Sequence, residues 1–491
     1  MRRLVAVAAV GLVLPSLAGA ATIVGTAKVD RIRGTKAADF VDVAGGGRDT
    51  VSCRGARDVV TADAGDRVAR DCEFVSRRIS TDTGRGAGQH QTEVEPSLVA
   101  AGNTLVSAFQ MGRFFDGAAE AIGFSTSRDA GRTWRSGLLP GLTLAQTPPG
   151  PVDRVSDPAV AYDAAHGTWL VVSLGIGQNS LSTLAVNRST DGLAWSPPVA
   201  VAQARIGSLA YDKEWIGCDN GSTSPFLGSC YVVYSDFVAD RLTVQVSRDG
   251  GLTWSAGVSA SSDSGGAVVG ALPVIQPNGA VTIVFIAEGS DGLYAVRSTD
   301  GGTSWGPRVG VAAMDASSPP GLRVPALPAA TVDASGRIYV AWADCRFRAT
   351  CLGSDIVLAS STDGLAWTGP TRIPGVGVDR FIPALAADPS QPGRLGLVYY
   401  WQPNRSCSSS TCRMAVSYTR SDDGGATWRA SQRLNSRLLP YRWLAVTTGG
   451  AFVGDYVGAA FAGGAFVPVF ALAQPNTGSV RHEAMYSARL P

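Results

Sequence analysis

Ser247-Arg248-Asp249-Gly250-Gly251-Leu252-Thr253-Trp254 is the stretch whose reading decides the fold. Five further copies stand at Ser127–Trp134, Ser189–Trp195, Ser298–Trp305, Ser361–Trp367 and Ser421–Trp428. They recur about every 50 to 65 residues, the period of a supersecondary unit copied many times. The residues are those of a tight turn. Ser and Asp side chains accept hydrogen bonds from nearby backbone N–H groups, Gly takes positive φ where the chain reverses, and Trp packs the turn onto its sheet. Between copies lie short apolar runs, such as Leu105–Gln110, Trp169–Leu174, Ile338–Trp342 and Leu395–Trp401. Turns and short strands at this spacing predict an all-β fold.

The pattern, seven or eight residues long, resembles the Asp-box of sialidase-like, or BNR-repeat, β-propellers, from about Glu95 to the C-terminus. The resemblance implies an Asp-box β-propeller; box spacing against the length of the chain favours seven blades, and six, the number in sialidase catalytic domains, is the alternative. The last blade carries no box and is closed by a strand from Phe74–Ile79. A second repeat precedes it: Gly25–Arg33, Gly34–Asp42, Ala44–Ser52 and Cys53–Thr61, with Asp about every nine residues. That unit resembles the calcium-binding nonapeptide of RTX β-rolls, so a small β-roll-like segment is expected ahead of the propeller. Asp39, Asp49 and Asp58 are then the candidate Ca²⁺ ligands, since carboxylates are hard donors. Against this, Arg48 and Arg57 set positive charge beside them, and a metal-free cap is the other reading. No cofactor is otherwise required.

Met1-Arg2-Arg3, the apolar run Leu4–Ala20 and the small residues Ala18-Gly19-Ala20 predict a signal peptide over 1–20 and a secreted, extracellular protein. The organisation expected is signal peptide 1–20, roll 21–80, linker 81–93 and propeller 94–491. No other stretch has the length and apolarity of a membrane span. Forty-two basic residues balance forty acidic ones, which argues against a nucleic-acid partner. The expected state is a monomer, and the expected partner a carbohydrate or cell-envelope polymer. Eight Cys in an exported chain suggest disulfides. Pairing of nearest neighbours gives Cys53 with Cys72, Cys218 with Cys230, Cys345 with Cys351 and Cys407 with Cys412. His90, His166 and His482 lie at no zinc-ligand spacing from these pairs.

The loops opposite the boxes are where function is sought. They carry Arg113, Asp236, Glu288, Asp344, Arg346, Arg348, Arg380, Arg405, Trp215, Trp443 and Tyr456. The family resemblance implies a sialidase site with three arginines clamping a carboxylate and a tyrosine nucleophile. Arg113, Arg346, Arg380, Arg405 and Tyr456 are the candidates for those roles. Asp236, Glu288, Asp344, Arg348, Trp215 and Trp443 are candidates for ligand contact. The family's Arg-Ile-Pro motif precedes its first box, whereas Arg372-Ile373-Pro374 follows the fifth copy here, so the catalytic pattern is not recovered. The expected function is glycan or polymer binding on the loop face without hydrolysis. The alternative is an exo-α-sialidase-type glycoside hydrolase.

Overall fold

The computed structural model describes residues 20–84, 86–178, 180–261, 268–287 and 292–491. The chain begins as a parallel stack. Strands β1 (Thr22–Val24), β3 (Phe40–Asp42), β5 (Val59–Ala62) and β7 (Phe74–Arg78) pair in that order, each parallel to the next. Strands β2 (Arg31–Arg33), β4 (Thr50–Ser52) and β6 (Arg67–Val68) form a second parallel sheet. Two nine-residue units therefore make one coil. Val41, Val51 and Val60 fill the interior, and the Cys53–Cys72 disulfide lies among them. Coils stack so closely that a Cβ on Gly46 would lie 2.5 Å from the Cα of Ala27, which explains the glycine there.

Aspartates tie each coil to the next. Asp58 Oδ1 accepts the N–H of Asp39 at 2.7 Å, and Asp39 Oδ1 that of Ala21 at 2.7 Å. In a separate column, Asp66 Oδ1 accepts from Asp49 at 2.9 Å, and Asp49 Oδ1 from Asp30 at 2.7 Å. These bonds satisfy turn amides that the sheet ladders leave over.

Beyond β7 the strands pair antiparallel, in sheets of which the last is continuous with the first coil. Their first strands are Glu93–Ala101, Arg154–Asp163, Tyr211–Cys218, Val268–Ile275, Ala329–Val332, Asp379–Ala387 and Gly458–Ala462. Each packs on the next, and the last returns to the first, so among the described residues they enclose an axis. The six boxes are the turns between third and fourth strands. In one, Ser247 Oγ accepts from Gly251 N–H at 2.8 Å, and Asp249 accepts from the N–H and hydroxyl of Thr253 at 3.0 and 2.6 Å. Such bonds from Thr427 hold Asp423 down at about 2.

This topology corrects the expectation of an Asp-box propeller preceded by a separate β-roll-like segment. The N-terminal part is a β-solenoid of about three turns. It is not an appendage: β7 pairs antiparallel with Glu483–Ala488, making one seven-stranded sheet from the first coil to the C-terminal strands. A single propeller family does not describe that sheet, and the sialidase-like, BNR and RTX resemblances do not extend to the fold of this chain. Asp39, Asp49 and Asp58 do not share one column. Successive aspartates fall on alternate corners of a coil, with Asp39 and Asp58 in one column and Asp49 in the other. Their bonded oxygens serve backbone N–H groups and, at Asp39, the Thr35 hydroxyl. Millimolar Ca²⁺ or EDTA is accordingly expected to leave the melting temperature unchanged in scanning calorimetry. Asp58→Ala is expected to cost about 1–3 kcal/mol, the penalty for stranding a buried amide. A calcium-dependent melt would show that the carboxylates do hold an ion.

Candidate functional site

Five of the first strands share one irregularity. Their register shifts between Val94 and Ser97, Ser156 and Ala159, Asp212 and Trp215, Val269 and Leu272, and Phe381 and Ala384. Within each bulge one residue has positive φ: Glu95 (58°), Asp157 (46°), Lys213 (51°), Gly270 (65°) and Ile382 (49°). A bulge inserts one residue and re-aims its side chain. Pro96, Pro158 and Pro383 follow three of these residues, so the prolines lie inside strands at bulges and do not start them. A bulge is where a sheet tolerates a missing N–H.

Three of the bulge residues gather at the loop end of the axis. Lys213 Nζ lies 3.0 Å from Asp157 Oδ1, 2.7 Å from Asp455 Oδ2 and 4.0 Å from Glu95 Oε1. Arg323 reaches the same Asp455 oxygen at 3.0 Å. Gln110 donates to Glu95 and, at 3.0 Å, to Ser156 Oγ, while Arg113 donates to Gln110 at 2.7 Å. The guanidinium groups of Arg113 and Arg323 both lie over the Phe452 ring, at 4.7 and 4.6 Å from its centroid.

The electrostatics separate the carboxyls. Burial, reinforced by Asp157 and Asp455, pushes Glu95 up to about 8 despite Lys213. Burial likewise raises Asp212 to about 6 and drives Glu214 well above the carboxylate range. Burial also acts to raise Asp455, but Lys213 and Arg323 outweigh it and keep that group low. Lys213 is raised in turn, because its carboxylates overcome its own desolvation. The cluster thus holds an ion-paired Asp455 beside Glu95 and Glu214, whose carboxyls burial favours in the neutral form, a separation that functional sites use.

Deeper along the axis the wall becomes apolar. A cavity of about 230 Å³ is lined by Leu98, Val160, Ile216 and Leu327, together with Lys213, Glu214, Trp215 and Tyr456. Trp215 and Tyr456 meet edge to face, with centroids 5.0 Å apart. Glu214 is 1% exposed, and neither of its carboxyl oxygens is bonded to another residue.

Of the residues singled out in the sequence, Trp215 and Tyr456 come together on this wall, and Arg113 flanks it. Trp443 lies elsewhere, beneath Arg437 and Arg442. Asp236 closes its own turn, accepting from Val238 and Ala239. Glu288 falls outside the described residues. Arg346 pairs with Asp344 at 2.6 Å and donates to Ala313 O, and Arg405 pairs with Asp379. Arg348, Arg372 and Arg380 all close on Asp355.

The four candidate clamp arginines are committed within the chain, Arg113 to Gln110, Arg346 to Asp344, Arg380 to Asp355 and Arg405 to Asp379, which removes the basis for a sialidase-type mechanism. The carboxylate that three guanidinium groups surround is the chain's own Asp355, fully buried, and Arg380 beside it is 1% exposed. Tyr456 is no free nucleophile, since its hydroxyl donates to Pro158 O at 3.3 Å and burial raises it well above the usual phenol range. Glu95 and Asp157 were absent from the sequence-based candidates, whereas Lys213 stood among the loop residues beside Trp215. The one signal for Glu95 and Asp157 was a charged residue at the head of a repeated strand, followed in both by Pro.

Among the described residues one group of three potential metal-ligand side chains is close enough to share an ion: Asp315, Cys345 and Cys351. Both sulfurs are joined in a disulfide, so neither is a thiolate. The other disulfides are Cys53–Cys72, Cys218–Cys230 and Cys407–Cys412. Among the described residues no helix is long and apolar enough to cross a membrane.

No family model matches the sequence, and no curated protein matches it. Similar solved structures include an ulvan lyase of polysaccharide lyase family PL25, at 12% identity and a TM-score of 0.49, covering 82% of this chain and 95% of that one. The intramolecular trans-sialidase from Ruminococcus gnavus is 14% identical with a TM-score of 0.46, over 66% of this chain and 92% of that one. A protein of unknown function from Dyadobacter fermentans is 18% identical with a TM-score of 0.46, over 70% and 98%. Likenesses this remote transfer no residue role to this chain.

Proposed function

We propose that the protein binds a carbohydrate, with one sugar unit seated in the axial cavity and Glu214 as its polar anchor. The observation that carries this reading is Glu214 itself. A buried carboxyl on a cavity wall with neither oxygen bonded to another residue is costly unless something uses it. Held neutral by burial, it both donates and accepts, which suits a sugar hydroxyl or ring oxygen. Trp215 and Tyr456 supply the apolar faces that the C–H side of a sugar packs on. The neighbouring charges are largely spent on one another, which favours a neutral sugar.

The test compares the wild type with Glu214→Met against a panel of neutral mono- and oligosaccharides, by calorimetry and by tryptophan fluorescence. The variant is expected to lose binding and to melt no earlier than the wild type. Removing an unsatisfied buried carboxyl relieves a penalty of about 1–3 kcal/mol. Retained binding in the variant, or a lowered melting temperature with binding intact, would make Glu214 structural. Absence of binding to every sugar in the wild type would sink the proposal.

A further inference from the structure

Among the described residues, the first coil of the solenoid is an open end. β1 and β2 are the outermost strands of their sheets. Ala21 O and Asp30 O accept from Phe40 and Thr50 in the next coil, at 2.8 and 2.9 Å, and the N–H groups of Gly25 and Gly34 donate to Asp42 O and Ser52 O, both at 2.8 Å. Main-chain groups alternate in direction along a parallel strand. Those of Thr22, Val24, Arg31 and Arg33 therefore point away from the stack, and no described strand pairs with them.

The same coil is basic. Lys28, Arg31, Arg33 and Lys36 are all exposed, and none forms an ion pair among the described residues. Its two carboxylates are occupied: Asp30 accepts from the N–H and hydroxyl of Thr26, and Asp39 from those of Thr35 and from Ala21 N–H. Val24 and Val29 add exposed apolar surface, at 52% and 68%.

An open sheet edge is a template for another strand, and charge on it selects which strand is admitted. A second copy stacked end to end would set these cations against their own kind. An extended segment with carboxylates on alternate residues would meet Arg31 and Arg33 on the face that both project from, while its backbone paired with theirs. We propose that the open end of the solenoid captures an acidic, extended peptide segment of a partner protein by strand addition. This site is separate from the axial cavity and does not depend on the carbohydrate reading.

The experiment titrates a fluorescent peptide of alternating Glu and Val into the full chain and reads anisotropy. Binding is expected, weakening as salt is raised. Arg31→Glu/Arg33→Glu should weaken it about tenfold or more, since each favourable cross-strand pair becomes a repulsive one. The melting temperature should hold, because both side chains are exposed. The same peptide N-methylated at alternate residues keeps its charge but loses its donors, and it should not bind. Equal binding of the N-methylated peptide, or full competition by a heparin fragment, would reduce the coil to a general polyanion patch and overturn strand addition. So would an undiminished affinity in the double variant, or no binding at all.

Discussion

Lys213→Met is expected to lower the unfolding free energy by about 3–5 kcal/mol, the cost of breaking a buried ion pair by removing one partner. Lys213 stands between Asp157 and Asp455, with Glu95 4.0 Å away, and these side chains are 5%, 0% and 2% exposed. Methionine keeps the length and apolar stem, so packing is conserved and the charge alone is removed. Arg323 still reaches Asp455, but Asp157 is left without its cation. The sign with pH follows. Carboxyls stranded without a cation titrate higher in the folded state than in the unfolded chain, so the folded variant binds more protons and gains stability as pH falls. Urea unfolding at pH 7 and pH 5 should therefore show a deficit that shrinks at the lower pH. A deficit below about 1 kcal/mol, the range of an exposed pair, would show that water reaches this cluster freely.

Asp355→Ala should be comparably severe, again by about 3–5 kcal/mol. Asp355 is the common partner of Arg348, Arg372 and Arg380. Arg380 cannot escape to solvent at 1% exposure, and its remaining bond is to Ile373 O at 2.7 Å. Arg372 is 49% exposed and is the natural control: Arg372→Ala should cost less than about 1 kcal/mol. Thermal unfolding of the two variants separates the cases. Should Asp355→Ala retain wild-type stability while Arg372→Ala loses it, the assignment of Asp355 as the hub would fail.

The turns were open to sequence reasoning because their chemistry is local. Ser247, Asp249, Gly250 and Gly251 close a turn through bonds spanning only a few residues, and such turns announce themselves wherever they occur. Apolar strands such as Ile338–Asp344 and Leu395–Gln402 were legible for the same reason, being buried nearly throughout. The N-terminal period of nine was equally plain, but its geometry was not. Two units make one coil, and that places Asp39 and Asp49 on different corners. The site was hidden more deeply. Proline after Glu95 and Asp157 suggests a strand boundary, whereas here it marks a bulge within the strand. Arg348 and Arg380 were read on the loops opposite the boxes and Arg372 beyond the fifth box, yet all three reach one carboxylate. Only tertiary structure shows that a carboxylate from the same chain stands between them.

The pairing of Phe74–Arg78 with Glu483–Ala488 also sets a schedule for assembly. A ribosome makes the chain from its N-terminus, and domains ordinarily fold as they emerge. Here β7 is completed early, yet its partner strand is among the last residues made. For the whole of the intervening synthesis that strand carries an unsatisfied edge, held on one side only by β5. Contacts joining such distant positions are slow to form. The nascent protein is therefore exposed to mispairing until translation ends, and a chain cut short before Glu483 keeps a sticky solenoid that nothing in the same molecule can seal.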